Sequence, residues 1–477
     1  MSSSEINAFR DSRRKFLGQA SCAAVGATTV FSTLFNLKTI NAATSFNSSV
    51  AAGGDYKALV CLLNAGGMDS FNMLVPRNTT AYNQYAATRS NMALPLNSLR
   101  PINPLSSDGN LYGVHPSMQR MQALFEAGKL SFISNVGTLI QPITKTQFYA
   151  GSIPVPLGLY SHSDQVMHWQ TGVPNARVAK GWGGKIADLL ISANQNQTVS
   201  MNVSLSGTNV FQTGENSVEY SLHPEYGSVG ILDYNNQDWV FNKMKRAAID
   251  GMVNPTYQNV FKNTYRKTIK TSIDGNAMLS TAIQNAPTFN VPFTQDSDLS
   301  KSFEMIAKTI SGRVPLQMNR QIFFIEFGGW DHHDELLVNQ SEMLTELDNA
   351  LYQFTSALEQ LGVASQVTTF SLSEFSRTLT SNGNGTDHAW GGNVFVLGGA
   401  VRGKRLYGSF PSLVLGNANP LEIGGGSLIP TTAADKYFAE LALWYGVPAS
   451  ELVTLFPNIG NFYNPMSGAY PIGFMNA

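Results

Sequence analysis

The residues best suited to chemistry sit in FFIEFGGWDHHDELL, residues 323–337, where an apolar run ends in two glycines, a tryptophan, an acid and two adjacent histidines. The chain has seven histidines in all, so a pair beside an acid is a concentration of ligand-type side chains. If the backbone stays extended through residue 333, Asp331 and His333 project to one side and His332 to the other. A carboxylate and an imidazole converging at a strand end suit a divalent cation such as Zn²⁺ or Mn²⁺. Gly328 and Gly329 let the backbone pass close to such a site. The competing reading is a polar loop with surface histidines.

Three other segments have the same layout, an apolar run closed by a polar or glycine-rich loop. LNAGGMDSFN presents Asp69 after Gly66 and Gly67, SLSEFSRT presents Glu374 with Arg377 three residues on, and NGNGTDHAWGG presents Asp387 and His388. Each has a plain alternative: a helix cap for Asp69, a salt bridge for Glu374, a turn for Asp387. Four segments together point to a composite site. LYSHSDQVMHWQTG (159–172) adds Ser161 and Ser163 on either side of His162, ahead of a helix predicted from Asp164. A serine at a helix N-terminus beside a metal can be activated as a nucleophile. The alternative, that either serine only caps the helix, is the stronger reading from the residues alone.

The elements that must position these groups follow from periodicity. Apolar runs within 56–72, 129–138, 320–334, 365–378 and 391–401 read as strands buried on both faces. Between them, residues 115–129 place Met118, Met121, Leu124 and Phe125 on one helical face. Residues 341–362 repeat Leu344, Leu347, Leu351, Phe354 and Leu358 at helical spacing and close on Gly362. Strands alternating with helices predict an α/β three-layer sandwich with a mostly parallel central sheet, whose ligands bind at the carboxyl ends of the strands. Residues 205–315, rich in Asn, Gln, Tyr, Lys and Ser, read as a mainly helical, cap-like insertion.

A chain of 477 residues, 43% hydrophobic and 13% charged, can bury a large core. With a net charge of −1 and no basic block, it shows no nucleic-acid track and no polybasic membrane patch. At the N-terminus, SRRKFLGQA carries Arg13 and Arg14 followed by Phe16 and Leu17, then an uncharged stretch to Leu37. This matches a twin-arginine export signal occupying residues 1–43, cleaved after Ala42 or Ala43 and followed by one domain over 44–477. The alternative is a membrane anchor, but Gly, Ala, Ser and Thr dilute the segment too far for a stable span. Gln19 stands where a lipoprotein signal ahead of Cys22 needs an aliphatic residue. The expected location is periplasmic or extracellular, with Cys61 the one cysteine left and no intrachain disulfide.

Through GGMDSFN, YSHSD…TG, GGWDHHDE, SEFSRT and NGTDHAWGG, residues 56–470 resemble the exported bacterial family called domain of unknown function 1501, a relative of the alkaline phosphatase and sulfatase superfamily. The resemblance implies an alkaline-phosphatase-like fold and a hydrolase of phosphate or sulfate esters. It places a metal-binding aspartate at Asp69 and the nucleophile at Ser161, with metal-bound water as the other nucleophile. It further places metal ligands at Asp331, His333 and His388. Glu374–Phe375 stands where the superfamily has an Asp–His pair, a departure. One divalent metal, Zn or Mn, would then be held by Asp331, His333 and His388. A second, held by Asp69, Glu374 and Ser161, lacks an imidazole unless Asp387 fills the gap, so one site is better supported than two. Arg377 is a candidate for binding anionic oxygens, or else a structural ion pair. The expected partner is a small anionic ester or a surface polymer; no protein partner is indicated. The alternative function is a non-catalytic exported protein that binds such a polymer or a partner.

Overall fold

The computed structural model describes residues 55–476 apart from 106–107, 229, 232–233 and 235–236. The expected leader lies outside the described residues. The first apolar run forms β1 (Lys57–Ala65), and after its glycines comes one helical turn, α1 (Ser70–Met73). Next are β2 (Leu74–Pro76), α2 (Thr79–Arg89), β3 (Arg100–Ile102) and β4 (Tyr112–Val114), and these three strands make a small antiparallel sheet. Helix α3 (Gln119–Glu126) precedes β5 (Leu130–Gly137). Then come α4 (Lys145–Ala150), α5 (His162–Thr171), α6 (Trp182–Leu189) and the short strands β6 (Asn202–Ser204), β7 (Tyr220–His223) and β8 (Gly227–Ser228). Three helices follow, α7 (Val240–Val253), α8 (Val260–Gln284) and α9 (Asp298–Ser311). The chain then re-enters the sheet as β9 (Arg320–Gly328), crosses it as α10 (Leu336–Gln360), and adds β10 (Val367–Leu372) and β11 (Gly392–Leu397). It closes with β12 (Leu406–Tyr407), β13 (Thr432–Ala433), α11 (Ala434–Tyr445) and α12 (Leu452–Leu455).

The main sheet runs β12-β5-β11-β10-β1-β9-β6-β7-β8, with β13 also on β5. Strands β10, β1, β9, β6 and β7 are mutually parallel, while β11 runs antiparallel to both of its neighbours. Alternation along β1 shows why its sequence is continuously apolar. Ala58, Val60 and Leu62 enter the core beneath α3, α9 and α10, while Leu59, Cys61 and Leu63 enter the core beneath α6 and α11. Both faces are covered, so each position contributes burial worth roughly 1.5–3 kcal/mol for a large aliphatic side chain. The expected three-layer α/β sandwich with a mostly parallel sheet is therefore the observed architecture.

Each of the five expected strands lies in this sheet, and the two expected helical stripes are buried: Met121, Leu124 and Phe125 on α3, and Leu344, Leu347, Leu351, Phe354 and Leu358 on α10. The 205–315 segment is less separate than its composition suggests. Within it β7 and β8 extend the main sheet, and α9 buries Leu299, Phe303, Ile306 and Ile310 in the core it shares with α10. The hairpin of α7 and α8 is the part that stands out from the sandwich in its exposure. Among the described residues no helix is long and apolar enough to cross a membrane.

Candidate metal centre

Register aligns the carboxyl ends of β10, β1 and β9. Leu63 pairs with Leu372 on one side, and Ala65 pairs with Gly328 on the other. The three loops leaving these strands therefore meet. They do so at Gly66, whose N–H donates to Glu374 Oε1 at 2.7 Å. A Cβ there would lie 2.5 Å from the Asp331 nitrogen, and its φ is +120°, so only glycine lets the β9 loop cross this closely.

Strand β9 ends at Gly328, and the chain then turns twice, with His332 N–H on the Trp330 carbonyl and His333 N–H on the Asp331 carbonyl. The expected extended backbone through residue 333 is thus absent, because Gly329 at φ +106° breaks it. The side chains nonetheless divide as alternation predicts. Asp331 and His333 face solvent together, while His332 is buried behind them against Trp330.

Three imidazoles converge. His388 Nε2 lies 3.1 Å from His162 Nε2 and 3.0 Å from His333 Nε2. Asp331 Oδ1 is 3.2 Å from His333 Nε2 and 3.3 Å from His388 Nε2, and its Oδ2 is 3.5 Å from His162 Nε2. Ligand atoms of His162, Asp331 and His388 all lie within 4.8 Å of one another. The opposite ring nitrogen of each histidine faces an acceptor: His162 Nδ1 faces Glu374 Oε1 at 2.9 Å, His388 Nδ1 the Tyr160 carbonyl at 2.9 Å, and His333 Nδ1 Asp387 Oδ1 at 3.2 Å. A carbonyl can only accept, so His388 carries its proton on Nδ1 and turns a lone pair inward; the carboxylates impose the same tautomer on the other two. Inward lone pairs 3.0–3.1 Å apart repel unless a cation or a proton lies between them. This arrangement, with acceptors holding the outer nitrogens, is how proteins orient metal-binding histidines.

Electrostatics agree. Burial pulls the His388 ring below its ordinary value against the opposing Tyr160 hydrogen bond, which favours the neutral, ligating form. Burial pushes the Asp331 carboxyl up, but the Arg377 hydrogen bond and charge outweigh it and keep the group below its usual range, hence ionised. Phe375 stacks on His388 with ring centroids 4.5 Å apart and packs on His162 at 4.9 Å. Where the resemblance expects a histidine, this ring acts as a wedge that fixes two others.

Several expected site residues have other duties. Asp69 is buried, caps α1 by accepting from the Phe71 and Asn72 N–H groups, and pairs with buried Arg89, so its oxygens are committed away from the histidines. Glu374 and Asp387 are not at the point of convergence; each stands behind a histidine and sets its tautomer. Ser161 is the N-cap of α5, accepting from the Asp164 N–H and lying 3.1 Å from Ser163 Oγ. Arg377 is fully buried. It donates to the carbonyls of Gly67, Thr386 and Gly66 and to Asp331, so it joins three loops rather than facing a ligand. His162 was the residue missed. Its signal was present in SHSD, where attention to the serines passed over one of the chain's few histidines at the first position of a helix.

The donor set of three imidazoles and a carboxylate, half-exposed at the ends of parallel strands, fits one borderline divalent cation. The architecture and the site together define an α/β sandwich with, among the described residues, one candidate metal centre. The family model described as "Protein of unknown function (DUF1501)" matches residues 56–423, and the chain belongs to that family. No curated protein matches it. Among solved structures, it is similar to the Ps i-CgsB complex with k-i-k-neocarrahexaose (TM-score 0.34, 11% identity, covering 86% of this chain and 77% of that one). It is also similar to the PsFucS1 sulfatase from Pseudoalteromonas sp. (0.34, 10%, 86% and 71%). A third is the lipoteichoic acid synthase LtaP from Listeria monocytogenes (0.32, 9%, 88% and 81%).

Proposed function

We propose that the protein is an exported, metal-dependent hydrolase of phosphate or sulfate esters, working through one divalent cation held by His162, His333, His388 and Asp331. The observation that carries this reading is the convergence of three Nε2 atoms whose outer nitrogens are each held by an acceptor. A cation bound there would polarise an ester oxygen and make water acidic enough to supply a nucleophile near neutral pH. Glu374, Asp387 and the Tyr160 carbonyl hold the three rings in the ligating tautomer, and Arg377 holds Asp331 ionised and in place. Export rests on the paired arginines and the uncharged stretch that follows them. Zinc fits a nitrogen-rich set better than manganese does.

One observation favours the non-catalytic reading. Arg377, the side chain expected to bind anionic oxygens, is fully buried and spent on three carbonyls and Asp331, so it does not face a substrate. The experiment that decides is metal analysis of the purified protein joined to a panel of phosphomonoesters, phosphodiesters and sulfate esters. Near-stoichiometric zinc or manganese, with turnover lost in His162→Ala, supports the hydrolase. Bound metal without turnover on any ester leaves the binding protein. Failure to bind or rebind metal overturns both the centre and the hydrolase.

A further inference from the structure

We propose that the α7–α8 hairpin docks the protein on the surface of an anionic lipid bilayer. Phe241, Met244, Ala248 and Met252 recur at three- and four-residue steps along α7, and all four are exposed, Phe241 at 84%. The buried residues Asn242, Ile249 and Val253 lie on another side of the helix. Just before the stripe, Trp239 is 73% exposed. Just past it, Val260, Phe261 and Tyr265 project from the first turns of α8, Phe261 at 86%. A soluble protein rarely leaves so many large apolar side chains in water without an occupant.

Charge points to the occupant. No long run of consecutive cations marks the hairpin, yet residues 238–274 hold seven lysines and arginines against three aspartates, in a chain whose net charge is −1. Lys243 and Lys270 pair with Asp238 and Asp274, which leaves the segment with a positive excess. Lys262 and Lys267 are exposed beside Phe261 and Tyr265. Exposed aromatic and aliphatic groups along α7 and at the start of α8, with cations in the same segments, suit the headgroup region of an anionic bilayer, where rings sink below the headgroups and lysines meet phosphate. A soluble polyanion would engage the lysines but has no use for the Phe–Met stripe. At 14 residues, α7 is roughly 21 Å long, suited to lying in the interface plane rather than spanning it.

The test uses the full chain with vesicles of phosphatidylglycerol and phosphatidylcholine, against phosphatidylcholine alone, followed by sedimentation and by hydrogen–deuterium exchange. Anionic vesicles are expected to bind the protein, salt to weaken binding, and amides within 240–266 to exchange more slowly when bound. Phe241→Ser and Phe261→Ser replace exposed side chains and are expected to leave folding intact. Each is expected to lower hairpin protection by roughly 10-fold or more, and Lys262→Ala or Lys267→Ala by roughly fivefold. The proposal is overturned if exchange at 240–266 is unchanged on vesicles, even where other residues of the chain bind them. Protection of the same helices on concentrating the protein without lipid would assign the face to a second copy. Equal protection by heparin in parent and Phe261→Ser would assign it to a polyanion. Either result also overturns the proposal.

Discussion

Replacing Arg377 with methionine tests whether this residue builds the site or contacts what binds there. Methionine keeps much of the apolar length and removes every donor. The carbonyls of Gly66, Gly67 and Thr386 lose their Arg377 hydrogen bonds, in a pocket where Arg377 itself has no exposure. A buried polar group stripped of its partner costs about 1–3 kcal/mol. Asp331 loses its cation too, but it is close to half-exposed and rehydrates, so that term is small. The lower end for three carbonyls sets the expected loss at about 3 kcal/mol. Urea unfolding in the presence of a chelator reads it as a lower midpoint with little change in slope. Arg377→Lys should recover part of the loss, since one ammonium cannot span acceptors on three loops. A variant with parental stability and weakened binding of sulfate or phosphate would refute the argument, because Arg377 would then be a ligand-facing group.

Three further outcomes follow from the same geometry. Glu374→Gln keeps an oxygen for Gly66 N–H and His162 Nδ1 but loses the charge, and zinc affinity by isothermal titration should fall roughly 10-fold, toward the lower end for groups that orient ligands; unchanged affinity would remove Glu374 from the centre. His333→Ala should cost far more zinc affinity than His332→Ala, because His333 Nε2 faces the cluster and His332 is buried behind it; the reverse order would refute the assigned orientations. Burial raises the Asp435 carboxyl to about 8, so the folded chain keeps it protonated where the unfolded chain, with its ordinary acidic value, has released the proton. Stability from this group is therefore greatest at low pH, declines from about pH 4 to about pH 8, and is flat above. The stability gained by Asp435→Asn should grow across that window, and a gain that does not vary with pH in urea unfolding would contradict it.

The order of elements was legible because the chain states it locally. Apolar runs closed by glycine-rich or polar loops read as buried strands, and Leu344 to Leu358 at helical spacing read as a helix with one buried face; their alternation along the chain pointed to the three-layer sandwich. Asp331, His333 and His388 were legible because each stands just beyond, or in a loop leading to, such a strand, where parallel sheets place their ligands. Residue type and spacing could not rank the rest. Asp69 and Glu374 follow similar apolar runs, yet one caps a helix and pairs with Arg89, while the other orients His162. The difference lies in which partner the tertiary structure brings near: Arg89 is 20 residues from Asp69, and Glu374 is 212 from His162. Arg377 looks the same in sequence whether it faces solvent or three carbonyls, and only the packing of the loops around it decided that it is buried. His162 joined the centre for the same reason. Alternation along a strand or helix fixes which side a residue faces, but convergence of ring nitrogens from the start of α5 and two separate loops is a long-range property that only the folded sheet creates.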